Sequence, residues 1–164
     1  MKKYKIGMVQ VNNSFSGQNY LPLSLGFLVS YAEFHCKNFN DYDFLNPIYK
    51  RVPIKDAVEQ YKDCDIVAFS VYVWNNNISM RIAKALKEVN PNILTIAGGC
   101  HIPERPEYID KYMKDNPYLD IASVGEGERV FTDFLENYPT RSWEKVESLI
   151  YRDGDKLITT PQAE

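Results

Sequence analysis

The run Asp65–Val73, with the sequence DIVAFSVYV, decides the fold because it is almost continuously apolar. A parallel strand at the centre of a sheet has this kind of sequence, since helices cover both of its faces. A second buried run, NILTIA at Asn92–Ala97, ends at Gly98 and Gly99. Between the two runs, Ile78–Val89 carries its apolar residues at helical spacing, which predicts an amphipathic helix. A strand, a helix and a strand in this order indicate a parallel pair with a crossover.

The same alternation extends in both directions from this unit. Further strands are predicted at Lys5–Val11, Asp41–Leu45 and Leu119–Val124, and further helices at Leu21–His35, Ile54–Tyr61, Pro106–Lys114 and Glu128–Tyr138. An Asp-Gly turn between two short β-prone runs, Leu149–Tyr151 and Leu157–Thr160, is typical of a hairpin. We therefore predict an α/β fold with a doubly wound, parallel, five-stranded sheet and a C-terminal β-hairpin.

The predicted division of the chain follows from these elements. Residues 1–146 form the α/β domain, and residues 147–164 form the hairpin and a linker. A length of 164 residues fits one domain with one sizeable core. The tail Thr160–Glu164 ends without a closing element, so we expect the chain to be cut from a longer protein.

Composition and charge exclude several kinds of partner. A net charge of −3 gives no electrostatic reason to expect nucleic acid or an anionic membrane. No apolar run approaches the roughly 20 residues that a membrane span requires. Cys36, Cys64 and Cys100 are odd in number and far apart, which predicts no disulfide framework and favours the reducing cytoplasm.

Four loops follow the predicted strands at the edge where an open α/β sheet binds its ligands. They are Asn12–Tyr20, Tyr72–Asn77, Gly98–Pro103 and Gly125–Glu128. Glycine at two strand ends would let a ligand approach the backbone closely, although glycine can equally serve only the turns. Because the other two loops are polar and aromatic, we predict a pocket at this edge.

Several ligand-binding motifs are absent. The phosphate-binding pattern G-x-x-x-x-G-K-[ST] does not occur, and Gly125–Gly127 has Val130 where a dinucleotide fingerprint needs its third glycine. No CxxC, HxxxH or CxxxCxxC spacing occurs, so no metal or iron–sulfur site is predicted for this chain. His101 lies two residues after Gly99, in a predicted site loop.

Two other functions remain open from the residues alone. A flavodoxin-like electron carrier could hold a flavin phosphate with Ser14, Ser16 and Gly17, while Tyr72 and Trp74 flank the flat ring. A cofactor-free α/β interaction domain would instead expose an apolar patch.

Four segments in a fixed order carry a family resemblance. They are Tyr20–Leu28 (YLPLSLGFL), Ala97–Pro103 (AGGCHIP), Val124–Glu128 (VGEGE) and Leu149–Lys156 (LIYRDGDK). Together they resemble the N-terminal cobalamin-binding domain of radical S-adenosylmethionine (SAM) enzymes, over roughly residues 5 to 161. The resemblance implies a Rossmann-like, flavodoxin-like domain that binds the lower face and nucleotide tail of cobalamin.

The resemblance also implies a set of cofactor-binding residues. Ser70 and Tyr72 would approach the cofactor, and the loop that holds Ser14, Ser16 and Gly17 would lie near the corrin face. The nucleotide-tail groove would be formed and bordered by Gly98, Gly99, Gly125, Glu126, Gly127 and Glu128. Asn75 and His101 complete the candidate set, because they lie in the same strand-end loops.

Two departures from related patterns qualify what the resemblance implies. Cobalamin domains of mutases carry D-x-H-x-x-G after the first strand, whereas Asn12–Tyr20 has neither Asp nor His. This implies a base-off cofactor without a protein His ligand, or a domain that has lost the cofactor. Since CxxxCxxC is absent, SAM and a 4Fe-4S cluster would belong to a downstream radical SAM barrel in the same polypeptide, with methyl transfer as the candidate reaction. The chain itself would then bind a cofactor without being catalytic.

Overall fold

A computed structural model describes residues 2–162 as one layered α/β unit. Its strands are β1 Tyr4–Val9, β2 Ser14–Phe15, β3 Gln18–Asn19, β4 Tyr42–Phe44, β5 Ile66–Ser70, β6 Leu94–Gly98, β7 Ile121–Ser123, β8 Leu149–Asp153 and β9 Lys156–Thr159. Its helices are α1 Leu23–His35, α2 Ile54–Tyr61, α3 Asn76–Val89, α4 Pro106–Asp115 and α5 Gly127–Asn137. None of the described helices has the length and apolar content needed to cross a membrane.

The main sheet has the strand order β4-β1-β5-β6-β7-β8-β9. Its first five strands pair in parallel, which confirms the predicted doubly wound sheet. The first strand of the chain lies between the second and third strands of the parallel set, the order typical of flavodoxin-like sheets. The direction of winding therefore reverses between β1 and β5, where a crevice opens at the carboxyl ends.

The run that decides the fold lies at the centre of this sheet. All five residues of β5 are buried, because helices cover both faces. Val67 and Phe69 belong to the core beneath α2, α3 and α4. Ile66 and Ala68 belong to the core beneath α1 and α5. Successive side chains of a strand point to opposite faces, so an almost unbroken apolar run supplies both cores.

Two strand pairs extend what the sequence predicts. The C-terminal hairpin continues the main sheet, since β8 pairs antiparallel with β7 and places Leu149 opposite Ser123. The first strand-end loop contains a hairpin of its own, β2–β3, with Ser16 and Gly17 at φ 49° and 77° in the turn. Two-residue strands carry no alternation of polar and apolar residues, so the sequence predicts only a polar loop there.

Tyr61 locks α2 onto the sheet. A Cβ at Gly7 would lie 2.7 Å from the Tyr61 ring, so only glycine in β1 allows this close approach. The Tyr61 hydroxyl donates toward the carbonyl oxygens of Asn46, at 2.6 Å, and Met8, at 3.0 Å. Burial raises the pKa of Tyr61 from 10.0 to about 12. The native state therefore favours the protonated phenol.

This raised pKa predicts alkaline destabilisation. The neutral Tyr61 phenol contributes to the free energy of unfolding. This contribution is fully present below pH 10, where the unfolded phenol is also neutral, and is lost as the pH rises toward 12. Tyr61→Phe keeps the ring over Gly7 but removes the hydroxyl. We expect the variant to be about 1 kcal/mol less stable near neutral pH. We also expect its free energy of unfolding, measured with urea, to fall less between pH 10 and 12 than that of the wild type. An identical fall in both proteins would contradict this role.

Candidate functional site

A cavity of about 230 Å³ opens between the main sheet and helices α1 and α5. It lies where β5, β6 and β7 end, on the face of the sheet that α1 and α5 cover. Its walls are mostly apolar and include Leu25, Phe27, Leu28, Ala68, Phe69, Ile96, Val130 and Phe131. Its polar side chains are Ser24, Ser70, Tyr72, Ser123 and Glu128. Glu128 is the only charged residue of the wall, so the cavity suits a largely neutral, flat group.

The structure brings together seven of the predicted site residues around this cavity. They are Ser70, Tyr72, Gly98, Gly99, Gly125, Gly127 and Glu128. They come from three different strand-end loops, which meet because parallel strands end at the same edge. The predicted edge of the sheet is therefore the edge that carries the cavity.

Ser70 is a polar residue of the wall whose side chain has no protein partner. The residue is 6% exposed, and its hydroxyl has no hydrogen-bond partner anywhere in residues 2–162. The Ser123 hydroxyl also faces the cavity, with a single long contact of 3.5 Å to the Ala97 carbonyl oxygen. Buried polar groups are almost always paired. The cavity therefore offers hydrogen-bonding groups to a ligand.

The glycine pair has a cause within the protein. A Cβ at Gly98 would lie 2.5 Å from the Ser123 Oγ atom, and one at Gly99 would lie 2.6 Å from the Val71 carbonyl oxygen. Gly99 also has a φ of 113°, which other residues rarely adopt. The two glycines thus let the ends of β5, β6 and β7 close on one another. Gly98 and Gly99 therefore have a structural role in the turn and in strand packing, which remained open from the sequence as the alternative to close approach of a ligand.

Tyr72 and Trp74 form a stacked pair at the rim of the cavity. Their ring centroids are 4.7 Å apart and their planes differ by 8°. A flat ring held between them would need the two ring planes to be about 7 Å apart, the sum of two van der Waals contacts. The flavin arrangement predicted from the sequence therefore does not fit this pair. The Tyr72 hydroxyl instead lies 2.6 Å from the Ser24 Oγ atom and joins the pair to α1.

The β2–β3 hairpin holds three predicted site residues outside the cavity. Ser14, Ser16 and Gly17 are all exposed, and none of them lines the cavity wall. The turn geometry of Ser16 and Gly17 accounts for their residue types, because two-residue hairpin turns need positive φ. They belong to the hairpin that follows β1.

Asn75 is buried beneath the loop after β5 and bonds only to backbone. Its Nδ2 atom donates to the carbonyl oxygens of Val11, at 3.1 Å, and Ser70, at 3.0 Å. Its Oδ1 atom accepts from the Tyr72 amide at 2.8 Å. Both amide hydrogens are used, so the side chain holds the ends of β1 and β5 together beside the cavity.

The two histidines lie away from the cavity. His101 is close to the Tyr112 ring, at 6.2 Å between centroids, on the face of the sheet that α4 covers. His35 is the last residue of α1 and stacks on Tyr31 at 4.2 Å. Glu126 lines a neighbouring cavity instead. Within residues 2–162, no three His, Cys, Asp or Glu side chains are grouped to hold a metal ion.

Sequence reasoning missed the helical walls of the cavity. Leu25, Leu28, Val130 and Phe131 look like ordinary core positions, and only the fold shows that a cavity separates them from the sheet. One signal was available in the sequence: the apolar residues of α1 are distributed around the helix, and the structure leaves Phe27 61% exposed. A helix without a polar face indicates that a ligand or a partner covers part of it.

Comparisons with known proteins add family information. Residues 7–135 match the family described as the B12 binding domain. The chain is 34% identical over 148 residues to the cobalamin-dependent radical SAM methyltransferase TokK of Streptomyces tokunonensis. It is 36% identical over 149 residues to 2-(S-pantetheinyl)-carbapenam-3-carboxylate methyltransferase of Streptantibioticus cattleyicolor. Each match covers 88% of this chain and 21% of the relative, so the chain spans about a fifth of the length of these relatives.

A solved structure shares the fold. The apo form of the cobalamin-dependent S-adenosylmethionine radical enzyme OxsB superimposes with a TM-score of 0.70 at 20% identity. The superposition covers 98% of this chain and 22% of that protein. It includes the C-terminal antiparallel strands as well as the parallel sheet, since nearly the whole chain is covered.

The Asn75 bonds predict a large loss of stability on substitution. We expect Asn75→Ala to lower the free energy of unfolding by about 3 kcal/mol, because three buried backbone groups lose their partner. Asn77→Ala is the matched control, since Asn77 is exposed and its side chain forms no hydrogen bond in the described chain. Its stability should change by less than about 0.5 kcal/mol. Urea unfolding measures both, and equal stabilities would show that Asn75 does not hold the strand ends.

Proposed function

The chain belongs to the family of B12 binding domains, and from this premise we propose that it is the cobalamin-binding module of a radical SAM methyltransferase. The observation that carries the proposal is an apolar cavity at the carboxyl ends of the strands, whose wall includes the buried residue Ser70 with a hydroxyl that forms no hydrogen bond in the described chain. Two relatives at 34% and 36% identity are named as methyltransferases, which supports the reaction class.

The cavity fits the nucleotide tail of cobalamin. The benzimidazole base of that tail is flat and apolar, and its ring nitrogen accepts a hydrogen bond once it has left the cobalt. Leu25, Leu28 and Val130 would pack on the base, and Ser70 would donate to the ring nitrogen. Gly98 and Gly99 would border the tail without side chains in its path.

The outer edge suits the corrin ring. Tyr20, Leu21, Val73 and Trp74 are 61%, 66%, 75% and 47% exposed, which gives this edge an unusual amount of open apolar surface. Large exposed apolar surfaces mark binding sites. We propose that the corrin lies over this edge, with Tyr72 beneath it and the hairpin residues Ser14, Ser16 and Gly17 beside it. Gly125–Glu128 would close the groove at its far side.

The bound cofactor is proposed to be base-off and without a His ligand. Neither His35 nor His101 lines the cavity, and the loop after β1 contains no histidine. The protein's part is therefore to bind and orient the cofactor through the cavity wall. Cobalt chemistry, when the cofactor is bound, supplies the methyl carrier.

The rest of the enzyme is proposed to supply the radical chemistry. The chain has no CxxxCxxC, so we infer that SAM and a 4Fe-4S cluster bind to a downstream barrel of the same polypeptide. The length of the relatives, about five times the matched region, supports this inference. We place the protein in the cytoplasm, consistent with three free cysteines, of which Cys36 and Cys64 are buried.

Ser70 provides a direct test of the cavity. We expect the purified chain to bind hydroxocobalamin, and Ser70→Ala to bind it about fivefold more weakly. Stability should be unchanged, because the hydroxyl has no partner in the protein. Ser79→Ala is the matched control, since the Ser79 hydroxyl likewise has no partner, is buried in the protein and lies outside the cavity. Absence of binding by the wild type would overturn the proposal, and equal affinities of all three would remove Ser70 from the site.

The axial ligand of cobalt can be tested by a separate measurement. In the electron paramagnetic resonance spectrum of reduced cob(II)alamin, an axial nitrogen ligand splits the cobalt lines. We expect no nitrogen splitting when the cofactor is bound to the chain, and the same spectrum for His35→Ala and His101→Ala. Nitrogen splitting that disappears in one of these variants would identify a histidine ligand and contradict the base-off, His-free state.

A further inference from the structure

A second cavity, of about 420 Å³, opens at the same sheet edge but on the opposite face. It lies between the N-terminus of α2, the first turns of α3 and the loop after β5. Its charged lining residues are Arg51 and Arg81, and none of its lining residues is acidic. A cavity that gathers two positive charges and no negative one favours an anionic ligand.

Both guanidinium groups lack a protein partner. Neither Arg51 nor Arg81 forms an ion pair, a hydrogen bond or a ring contact within residues 2–162. By contrast, Arg129 pairs with carboxylates, Arg141 lies over aromatic rings and Arg152 donates to backbone carbonyls. The chain has 22 acidic and 19 basic residues, so carboxylates are plentiful. Their absence from this cavity leaves the guanidinium donors open to a ligand.

The rest of the wall favours an oxyanion attached to an apolar body. Helix α2 begins here at Ile54 without a side-chain cap, so its first backbone amides and its dipole face the cavity end of the helix. Asp56 lies in the first turn of α2 but forms no ion pair with either arginine in the described chain. Val52, Ile78 and the half-exposed Trp74 ring give apolar walls beside the charges.

We propose that this cavity is a second binding site, which takes a small molecule carrying a carboxylate or phosphate group. Planar guanidinium forks bind both oxyanions in a bidentate manner. The site is separate from the first cavity but adjoins it through the stacked rings, since Trp74 lines the second cavity and Tyr72 lines the first. The proposal goes beyond the cobalamin site and is tested on the chain without cobalamin, because Trp74 also belongs to the edge over which the corrin is proposed to lie.

Trp74 makes the proposal testable. The chain has two tryptophans, and Trp143 is only 8% exposed and stacks on Phe134. Their indole N–H resonances can therefore be followed separately by NMR. We titrate the chain at low ionic strength with inorganic phosphate and, separately, with benzoate. We expect a saturable shift of the Trp74 resonance with at least one of them; the pair of titrations distinguishes phosphate from carboxylate.

Three arginine variants decide whether the cavity is the site. Arg51→Gln and Arg81→Gln should each weaken binding by about tenfold. Arg105→Gln is the matched control, because Arg105 is also exposed and without a partner but lies outside the cavity. Its affinity should equal that of the wild type. No saturable shift up to about 10 mM of either anion, or an equal loss in all three variants, would overturn the proposal.

Discussion

The Asn75 carboxamide joins the two strand ends between which the winding of the sheet reverses. Its three hydrogen bonds reach Val11, Ser70 and Tyr72, beyond the last regular pairing of β1 with β5. Parallel strands that diverge leave unpaired backbone groups, and burying such groups without partners is costly. The Asn75 side chain supplies hydrogen-bond partners to backbone groups at the ends of both strands. The crevice can therefore open beside strand ends that Asn75 holds together, and the first and second cavities described above lie at this edge of the sheet.

The loops at this edge of the sheet depend on the Asn75 hydrogen bonds. Asn75 fixes the backbone of Tyr72, whose ring stacks on Trp74 and whose hydroxyl reaches Ser24 at the start of α1. Gly99 turns against the Val71 backbone, which lies between two of the residues that Asn75 contacts. The aromatic rim, the first helix and the glycine pair are thus positioned through one buried amide. A ligand that enters the first cavity meets a wall that is already formed, which limits the entropy lost on binding.

The central strand and the edge of the ligand site were predictable because each rests on a local pattern. DIVAFSVYV predicts a strand covered on both faces, and the strand-end rule then identifies the loops that surround a site. The direction of individual side chains was not predictable. Gly99 adopts a φ of 113°, and the chain beyond it carries His101 to the face that α4 covers. Ser123 was not predicted to line the first cavity, because its position depends on how closely β7 approaches Gly98. Close contacts of this kind between strands produce no periodic pattern in the sequence.

The antiparallel hairpin has a consequence for the solubility of the domain. Without β8, the backbone of β7 would form an open edge of the sheet, and open edges pair with other chains. β8 covers this edge, and its buried residues Leu149 and Ile150 join the two cores. The backbone after β9 returns to it, since the Thr160 amide donates to the Leu149 carbonyl oxygen. A recombinant fragment that stopped before Leu149 would leave β7 as an open edge, whereas one extending past Thr160 would keep β7 paired with β8.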